Sequence, residues 1–213
     1  MSFLTSAVTV DLSLPINSAR RPVLYAGGGI VHSDAAVIAR CFAEKGGLPT
    51  TMTLMGLGVV PAEHELYMGM LGMHGTYEAN LAMHDCDVMI AIGSRFDDRI
   101  TGRLDAFSPN SRRIHIDIDP SSINKNVRAD VPIIGDAAQV LEDMIELWKS
   151  SAPQVDKQAL KAWWKQIDVW RGRKSLAYKH SEDFIMPQYA IERLYHLTKD
   201  RDCYISTEVG QHQ

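Results

Sequence analysis

The sequence is poor in cysteine, in excess charge of either sign and in long apolar runs. Its three cysteines, Cys41, Cys86 and Cys203, are far apart and form no C-x-x-C pair, so neither a disulfide framework nor a zinc site is indicated and a reducing cytoplasm is favoured. A net charge of -4 argues against nucleic acid as a partner. The longest uncharged stretch, GGLPTTMTLMGLGVVPA, is broken by glycine and proline and is too short for a membrane span. The opening residues MSFLTSAVTV have no basic residues before their apolar part, which argues against a secretory signal.

Predicted strands and helices alternate through the first two thirds of the chain. The predicted strands are PVLYA with its following glycines, LPTTMTL, DVMIAIG, RRIHIDID and VPIIG, and the predicted helices are SDAAVIARCFAEKGG, TYEANLAMHDC and DAAQVLEDMIELWKS. A loop rich in glycine and methionine is predicted between LPTTMTL and TYEANLAMHDC. Most of these strands are apolar on both faces, which is typical of a parallel sheet covered by helices on each side. The sequence therefore predicts an α/β fold with a doubly wound parallel sheet over residues 20–150.

The remaining residues predict a linker and a second, incomplete domain. Residues 151–182 read as a linker with a basic amphipathic helix, whose tryptophans, Trp163, Trp164 and Trp170, are expected to pack against a neighbouring domain rather than stack on bases. In residues 183–213, Pro187 opens a helix and CYIST begins a strand, so we expect the sequence to be cut inside this domain. Residues 1–19 form an extension of unclear role.

Loops at the carboxyl ends of parallel strands converge on one ligand-binding crevice. The first such loop contains glycines 27–29, which either let a phosphate approach the backbone or provide a turn with positive φ angles. The dinucleotide pattern G-x-G-x-x-G fails at its third glycine, where His32 stands, and no acid ends the second strand. An NAD-dependent oxidoreductase is therefore disfavoured.

Charged residues follow two later strands of the predicted sheet. In SRFDDR, Arg95 and Arg99 are candidates to hold phosphates and Asp97 to orient one of them or to accept from a ligand hydroxyl, the alternative being a surface cluster of weak ion pairs. The strand RRIHIDID alternates isoleucines with His115, Asp117 and Asp119, as a strand with one polar face near a crevice would.

Three acids at strand ends have both functional and structural interpretations. Asp117 is a candidate to accept from ribose hydroxyls, whereas Asp119 precedes proline and is expected to start a turn. Asp136 is expected to cap a helix, with Gln139 three residues on.

Histidines and methionines give weaker signals. No histidine pair has metal-ligand spacing with a third donor nearby, so no metal site is predicted, and His74 is interpreted as a loop residue near the ligand. Six methionines in the middle third either line a flat aromatic ligand or fill the core.

Seven segments in order resemble one family, the large catalytic subunit of acetolactate synthase, a thiamine diphosphate enzyme. They are LYAGGG, TTMTLMGLG, LGMHGTYEAN, GSRFDDRITG, IHIDIDPSSINKN, GDA and EVGQHQ. The resemblance implies a Rossmann-like central domain that binds FAD, which does no redox work in the main reaction. It also implies thiamine diphosphate and magnesium in the intact enzyme, and a transferase reaction of branched-chain amino acid biosynthesis that joins two 2-ketoacids with loss of carbon dioxide.

The resemblance also implies site residues. It places FAD at Gly27, Gly28, Gly29, Thr53, Leu54, Met55, Leu71, Gly72, Met73, His74, Gly93, Arg95, Asp97, Arg99, Asp117, Ile118, Gly135, Asp136 and Ala137. The flavin would lie toward 71–74 and the adenine toward 135–137. The substrate channel would involve Met73, Asp98 and Arg99, and the thiamine diphosphate side Val209, Gly210, Gln211 and His212.

By this resemblance the chain supplies no catalytic residue. The family's glutamate belongs to an N-terminal domain, and the G-D-G pattern of its diphosphate site does not occur here. The chain is therefore expected to be inactive alone, as a fragment of a homo-oligomer with 2-ketoacid substrates and a possible regulatory small subunit. The alternative is a stand-alone nucleotide-binding module with a regulatory or assembly role and no catalysis.

Overall fold

The computed structural model describes residues 16–151 and 156–207 and divides the chain into two compact units. The first unit is Met1–Arg173 and the second is Lys174–Gln213. Within the described residues, no helix combines the length and the apolar character that a membrane crossing requires.

The first unit is built from a parallel sheet with helices on both faces. In chain order its elements are β1 (Pro22–Ala26), α1 (Gly28–His32), α2 (Ala36–Gly46), β2 (Thr50–Met52), β3 (Tyr67–Met70), α3 (Tyr77–Asp85), β4 (Val88–Ile92), α4 (Asp98–Thr101), β5 (Arg112–Asp117), β6 (Val131–Ile134), α5 (Ala137–Ser151) and α6 (Lys157–Arg171). The six strands lie in the order β3-β2-β1-β4-β5-β6. This order confirms the predicted α/β class and the doubly wound parallel sheet.

The central strands, β1 and β4, are apolar along their whole length because helices cover both faces of the sheet. All five residues of each strand are buried, and the two strands pair in parallel from end to end. On one face, Phe42 of α2 and Leu141 of α5 belong to the core, and on the other face Met83 of α3 does so. With both faces covered, a ligand can reach the sheet only at the strand ends.

Strand β3 lies in a segment that the sequence predicts to be a loop rich in glycine and methionine. Gly69 interrupts the apolar pattern there and has a φ of +84°. The strand forms by pairing with β2, where the register shifts between Thr50 and Met52, and the Thr51 hydroxyl donates to the Gly69 carbonyl at 3.0 Å. The loop prediction was wrong because tertiary pairing, which a local pattern does not contain, decides this segment.

The prediction that β5 has a polar face beside the crevice was wrong for His115. This side chain is fully buried, its Nε2 donates to the Ser94 carbonyl at 3.0 Å, and its ring centre lies 5.0 Å from that of Phe96. The strand also ends at Asp117, so Ile118 lies beyond it and is 68% exposed. Both faces of β5 are therefore buried at residues 114–116, whereas Asp117 at its carboxyl end stays partly buried.

Helix α6, which the sequence assigns to a linker, packs in the first unit. Trp163 and Ile167 are buried in the core, and the Trp163 indole nitrogen donates to the Pro22 carbonyl at 3.1 Å. The Trp164 indole nitrogen donates to the Gly47 carbonyl at 2.9 Å. These tryptophans thus join α6 to the sheet within one compact unit, which extends past the predicted boundary at residue 150.

The second unit contains one helix among its described residues, α7 (Pro187–Thr198). Proline stands at the start of the helix as predicted, because its missing N–H has no intrahelical partner at that position. The strand predicted for residues 203–207 was wrong, since these residues have no regular structure. A strand needs a hydrogen-bonding partner, and none is present in the described part of this unit.

Candidate functional site

A cavity of about 880 Å³ lies along the carboxyl edge of the sheet in the first unit. It spans the ends of β2, β1, β4, β5 and β6, as expected for the crevice of an open parallel sheet. Predicted site residues that line it are Gly28, Gly29, Thr53, Leu54, Met55, Gly93, Arg95, Asp97, Asp98, Arg99, Asp117, Ile118, Gly135, Asp136 and Ala137. The structure thus brings together side chains from five strand-end loops that are far apart in sequence.

The floor of the cavity is a close contact between the ends of β1 and β4. The amide of Gly29 donates to the Gly93 carbonyl at 2.9 Å. A Cβ at Gly27 would lie 2.0 Å from the Gly93 oxygen, and a Cβ at Gly29 would lie 2.6 Å from the Gly93 Cα. No side chain fits in this contact. Here the strand order reverses, which is the point where doubly wound sheets bind ligands.

The two explanations of the glycine run 27–29 can now be compared. Positive φ occurs at Gly93, with a value of +57°, but at none of residues 27–29. The turn explanation was therefore wrong for these three positions. Gly27 and Gly29 are required by the approach of Gly93, and Gly28 by the approach of Met55, whose Cβ would lie 2.8 Å from an added Cβ.

Charged side chains occupy the middle of the cavity, on the loop after β4. Arg95 and Asp97 form an ion pair at 3.1 Å, and their side chains are 72% and 47% exposed. The buried Tyr25 hydroxyl donates to the Arg95 carbonyl at 3.4 Å. Burial, followed by the negative charge of Asp97, raises the pKa of Tyr25 above its ordinary value. An exposed ion pair contributes little to stability. Arg95 could therefore leave Asp97 and bind an anionic ligand at a small cost in free energy.

The loop of residues 71–75 contacts helix α4 without lining the main cavity. The Met73 amide donates to the Arg99 carbonyl at 2.9 Å, and a Cβ at Gly72 would lie 2.5 Å from the same oxygen. Met73 is 65% exposed, whereas Leu71 is buried and lines a separate cavity of about 180 Å³. The structure therefore joins the backbone of Met73 to Arg99 and leaves Leu71, Gly72, Met73 and His74 outside the main cavity.

One end of the cavity, after β5 and β6, combines structural carboxylates with an exposed apolar side chain. Asp117 accepts from the Asp119 amide at 2.9 Å, and Asp119 accepts from the Ser121 amide and hydroxyl at 2.9 and 2.8 Å. The Ser121 hydroxyl is the main cause of the lowered pKa of Asp119. Asp119 thus forms the predicted turn. Ile118 projects beside it.

Asp136, in the same region, has the predicted capping role. One of its carboxylate oxygens accepts from the Ala138 and Gln139 amides at 3.0 and 3.3 Å at the start of α5. Because Asp136 also lines the cavity, the same residue caps α5 and forms part of the cavity wall.

The opposite end of the cavity, after β2, is apolar. Thr53 caps a short 3-10 turn, Leu54–Gly56, by accepting from the Gly56 amide at 3.0 Å. The turn presents Leu54 and Met55, which are 56% and 65% exposed. The edge of the sheet thus has Leu54 and Met55 at one end, charged side chains in the middle, and Ile118 among carboxylates at the other end.

Several residues of the cavity were not predicted from the sequence. They are Tyr25, His32, Ser33, Ser94, Ile100, Ile116, Asp119 and Ser122. Most lie within a few positions of a predicted residue, so strand-end position was the available signal. Ser94 is 2% exposed and its hydroxyl has no hydrogen-bond partner among the described residues. Val209, Gly210, Gln211 and His212 lie outside the described residues.

Comparisons with known proteins assign most of the first unit to one family. The family model described as the thiamine pyrophosphate enzyme central domain matches residues 13–144. Its match begins inside the extension 1–19, where Ile16 and Ala19 are buried in the core.

Three relatives are named as acetolactate synthase large subunits. The acetolactate synthase large subunit of Buchnera aphidicola subsp. Schizaphis graminum is 52% identical over 92% of this chain and 34% of its own length. The acetolactate synthase isozyme 3 large subunit of Escherichia coli K12 is 48% identical over 92% of this chain and 34% of its own. The acetolactate synthase large subunit of Parasynechococcus marenigrum is 42% identical over 99% of this chain and 33% of its own. The chain thus spans about a third of the length of the curated relatives that it matches.

Proposed function

This chain belongs to the thiamine pyrophosphate enzyme central-domain family, and from that membership we propose that it forms the FAD-binding central part of an acetolactate synthase large subunit. In the whole enzyme the activity would be the decarboxylating condensation of two 2-ketoacids, pyruvate with pyruvate or 2-ketobutyrate. Relatives of that name match over 92% of the chain at 48–52% identity. The alternative, a regulatory module without catalysis, is favoured by no feature of the described chain.

The observation that carries the proposal is the order of side chains along the cavity. Apolar Leu54 and Met55 lie at one end, the arginines of the loop after β4 lie in the middle, and Ile118 lies at the other end. From β2 to β6 there are four strand spacings, which corresponds to roughly 19 Å at about 4.8 Å each. A cavity of this length suits an extended ligand with a flat group at each end and an anionic centre, which describes a flavin dinucleotide.

The central contact of the sheet fits the diphosphate of such a ligand. Gly28 and Gly29 present backbone without side chains, and Arg95 and Arg99 supply two guanidinium groups that can donate to phosphate oxygens. Asp97 would then accept from a ribityl hydroxyl. In this proposal FAD is bound for structure and needs no redox partner.

The two ends of the cavity would hold the adenosine and the flavin. Asp117 would accept from the ribose hydroxyls, and Ile118 with residues 135–137 would contact the adenine. Thr53, Leu54 and Met55 would lie on the flavin side, toward the loop of residues 71–74. No acid follows β2, which disfavours the ribose contact of an NAD enzyme.

Substrate and the second cofactor concern the whole enzyme. We place Met73, Asp98 and Arg99 beside the substrate channel, since the backbone of Met73 bonds to that of Arg99 and both Asp98 and Arg99 line the cavity. Thiamine diphosphate and magnesium belong to the intact enzyme, with Val209, Gly210, Gln211 and His212 on the diphosphate side. The free cysteines fit a cytoplasmic enzyme, and a homo-oligomer with a regulatory small subunit is the assembly that we expect.

Domain limits follow the same proposal. We keep residues 20–150 as the FAD-binding domain, 151–182 as the linker and 183–213 as the start of the thiamine diphosphate domain. Helix α6 of the linker would then be fixed to the FAD-binding domain through Trp163.

Flavin fluorescence titration tests the cofactor. The fluorescence of FAD should be quenched when the 213-residue chain binds it. The double variant Arg95→Ala, Arg99→Ala should bind FAD at least about tenfold more weakly, since each charge-assisted hydrogen bond contributes about 1.5–3 kcal/mol. Two exposed arginines outside the cavity, Arg112 and Arg128, provide the matched double variant, which should bind FAD as the parent does. Equal affinity in both double variants would refute the phosphate role.

Two further measurements test the remaining parts of the proposal. The chain alone, given pyruvate, thiamine diphosphate and magnesium, should form no acetolactate, and product formation would show that it is a complete enzyme. Tight NADH binding without flavin binding would instead favour an oxidoreductase.

A further inference from the structure

The side chain of Asn80, one turn into helix α3, forms a two-way hydrogen-bond pair with the backbone of Gly72. Its Oδ1 accepts from the Gly72 amide at 2.8 Å, and its Nδ2 donates to the Gly72 carbonyl at 3.0 Å. The same Nδ2 donates to the Thr76 carbonyl at 3.1 Å. Asn80 therefore binds Gly72 as a neighbouring strand would, although no strand is there. Only an amide side chain has a donor and an acceptor placed for such a pair.

Gly72 is in turn pressed against helix α4. Gly72 has a φ of +90°. A Cβ added to it would lie 2.5 Å from the Arg99 carbonyl oxygen and 3.0 Å from the Ile100 Cα. The next residue, Met73, donates its amide hydrogen to the same Arg99 oxygen at 2.9 Å. Gly72 therefore lies directly against the backbone of α4, with no space for a methyl group between them.

Besides its contact with the 71–75 loop, helix α4 is held by Ile100, which packs against the core, and by the buried Thr101. It comprises only Asp98–Thr101, and its N-cap residue, Asp97, makes no side-chain capping bond. Asp97 is instead paired with Arg95 in the cavity. Because a single helical turn is not stable by itself, its position depends on what it packs against.

We propose that Asn80 is a positioning residue: through Gly72 and Met73 it fixes the backbone of α4 and so the placement of Asp98 and Arg99 at the mouth of the cavity. Asn80 itself does not line the main cavity. It acts on the ligand site from the far side of the 71–75 loop, about one helical turn from the Thr76 cap of α3. The consequence for ligand binding rests on the proposed dinucleotide function, whereas the coupling of Asn80 to α4 does not.

Amide hydrogen exchange in the ligand-free chain tests the coupling. Asn80→Ala should speed exchange by about tenfold or more, both in the peptide covering residues 71–76 and in the peptide covering residues 98–102, because Gly72 loses the bonds that fix the loop on which α4 rests. Asn80→Asp keeps the acceptor for the Gly72 amide and loses both donors, so it should show the same pattern with a smaller change in side-chain volume. This second variant decides the question if Asn80→Ala does not fold.

Asp156→Ala is the matched control for general loss of stability. It removes two hydrogen bonds, from the Gln158 and Ala159 amides at 3.0 Å each, at the start of α6. It should leave exchange in the 71–76 and 98–102 peptides unchanged. Faster exchange in 71–76 alone, or the same increase in the Asp156 variant, would overturn the proposal.

A comparison of FAD with adenosine tests the consequence for the ligand. Adenosine has no phosphate and would occupy only the end of the cavity after β5 and β6, whereas FAD would extend past α4 toward β2. Asn80→Ala should therefore weaken FAD binding about tenfold and adenosine binding less than twofold. Equal weakening of both ligands would overturn the positioning role. A parent chain that binds neither ligand would refute the proposed cofactor instead, and the exchange measurement would still decide the role of Asn80.

Discussion

The substitution Gly93→Ala tests whether the cavity floor depends on the backbone contact between β1 and β4. Gly93 has a φ of +57°, and an added Cβ would lie 2.6 Å from the Gly29 Cα and 2.9 Å from its N and C atoms. A left-handed non-glycine residue costs about 1–3 kcal/mol, and forcing a methyl group into a packed contact costs about 1–3 kcal/mol. We therefore expect the free energy of unfolding to fall by about 2–6 kcal/mol.

Two other glycines separate these contributions. Gly102 has a φ of +55° and nothing within 4 Å of an added Cβ, so Gly102→Ala should lose only the conformational part. Gly29 lacks a positive φ, but its Cβ would lie 2.6 Å from the Gly93 Cα, so Gly29→Ala should lose only the packing part. The two losses should sum to about that of Gly93→Ala, apart from coupling between Gly29 and Gly93.

Urea unfolding followed by tryptophan fluorescence measures these losses. All four tryptophans precede residue 174 and therefore report on the first unit. If Gly93→Ala were as stable as the parent chain, or lost no more than Gly102→Ala, the close contact of β1 and β4 would be refuted. Gly93→Ala and Gly29→Ala should also weaken FAD binding, whereas Gly102→Ala should change it less.

Three further predictions concern the buried groups of the first unit. Trp163→Ala should lower the free energy of unfolding by about 3–5 kcal/mol, and Trp163→Phe by about 1–3 kcal/mol because the Pro22 carbonyl loses its donor; urea unfolding with no measurable loss would show that α6 does not pack on the sheet. Burial raises the pKa of Cys86 to about 12, so iodoacetamide at pH 8 should label exposed Cys203 and leave Cys86 unmodified until the chain is unfolded; mass spectrometry of the labelled peptides decides between these outcomes. Burial lowers the pKa of His115, so protonation favours the unfolded state, and the stabilisation present above about pH 6.5 should be lost as the pH falls below it. The difference in the free energy of unfolding between the parent and His115→Gln should therefore shrink on acidification. A constant difference would contradict the lowered pKa of His115.

Much of the sheet could be predicted because its strands carry their own signal. PVLYA and VMIAI are apolar throughout, and such runs alternating with amphipathic helices indicate strands buried on both faces. The strand-end rule then placed Arg95 and Asp117 at one edge of the sheet without knowledge of the strand order. The roles of these residues toward a ligand came from the family resemblance and stay a proposal.

The errors share a physical cause, which is that they concern contacts between distant parts of the chain. Strand β3 exists because β2 pairs with it, and the fully buried His115 is held by the Ser94 carbonyl and the Phe96 ring. Neither contact is visible in a window of ten residues. Likewise, nothing near Trp163 in sequence indicates that its indole bonds to Pro22, 141 residues away.

The sequence by itself determined five of the six strands of the sheet and the charged residues that follow them, because these depend on local periodicity and on the chemistry of glycine. Only the tertiary structure decided why the glycines 27–29 are needed. They are not turn residues with positive φ. Gly27 and Gly29 make room for the backbone at Gly93, and Gly28 makes room for Met55. These steric requirements arise only when β1 lies beside both β4 and β2.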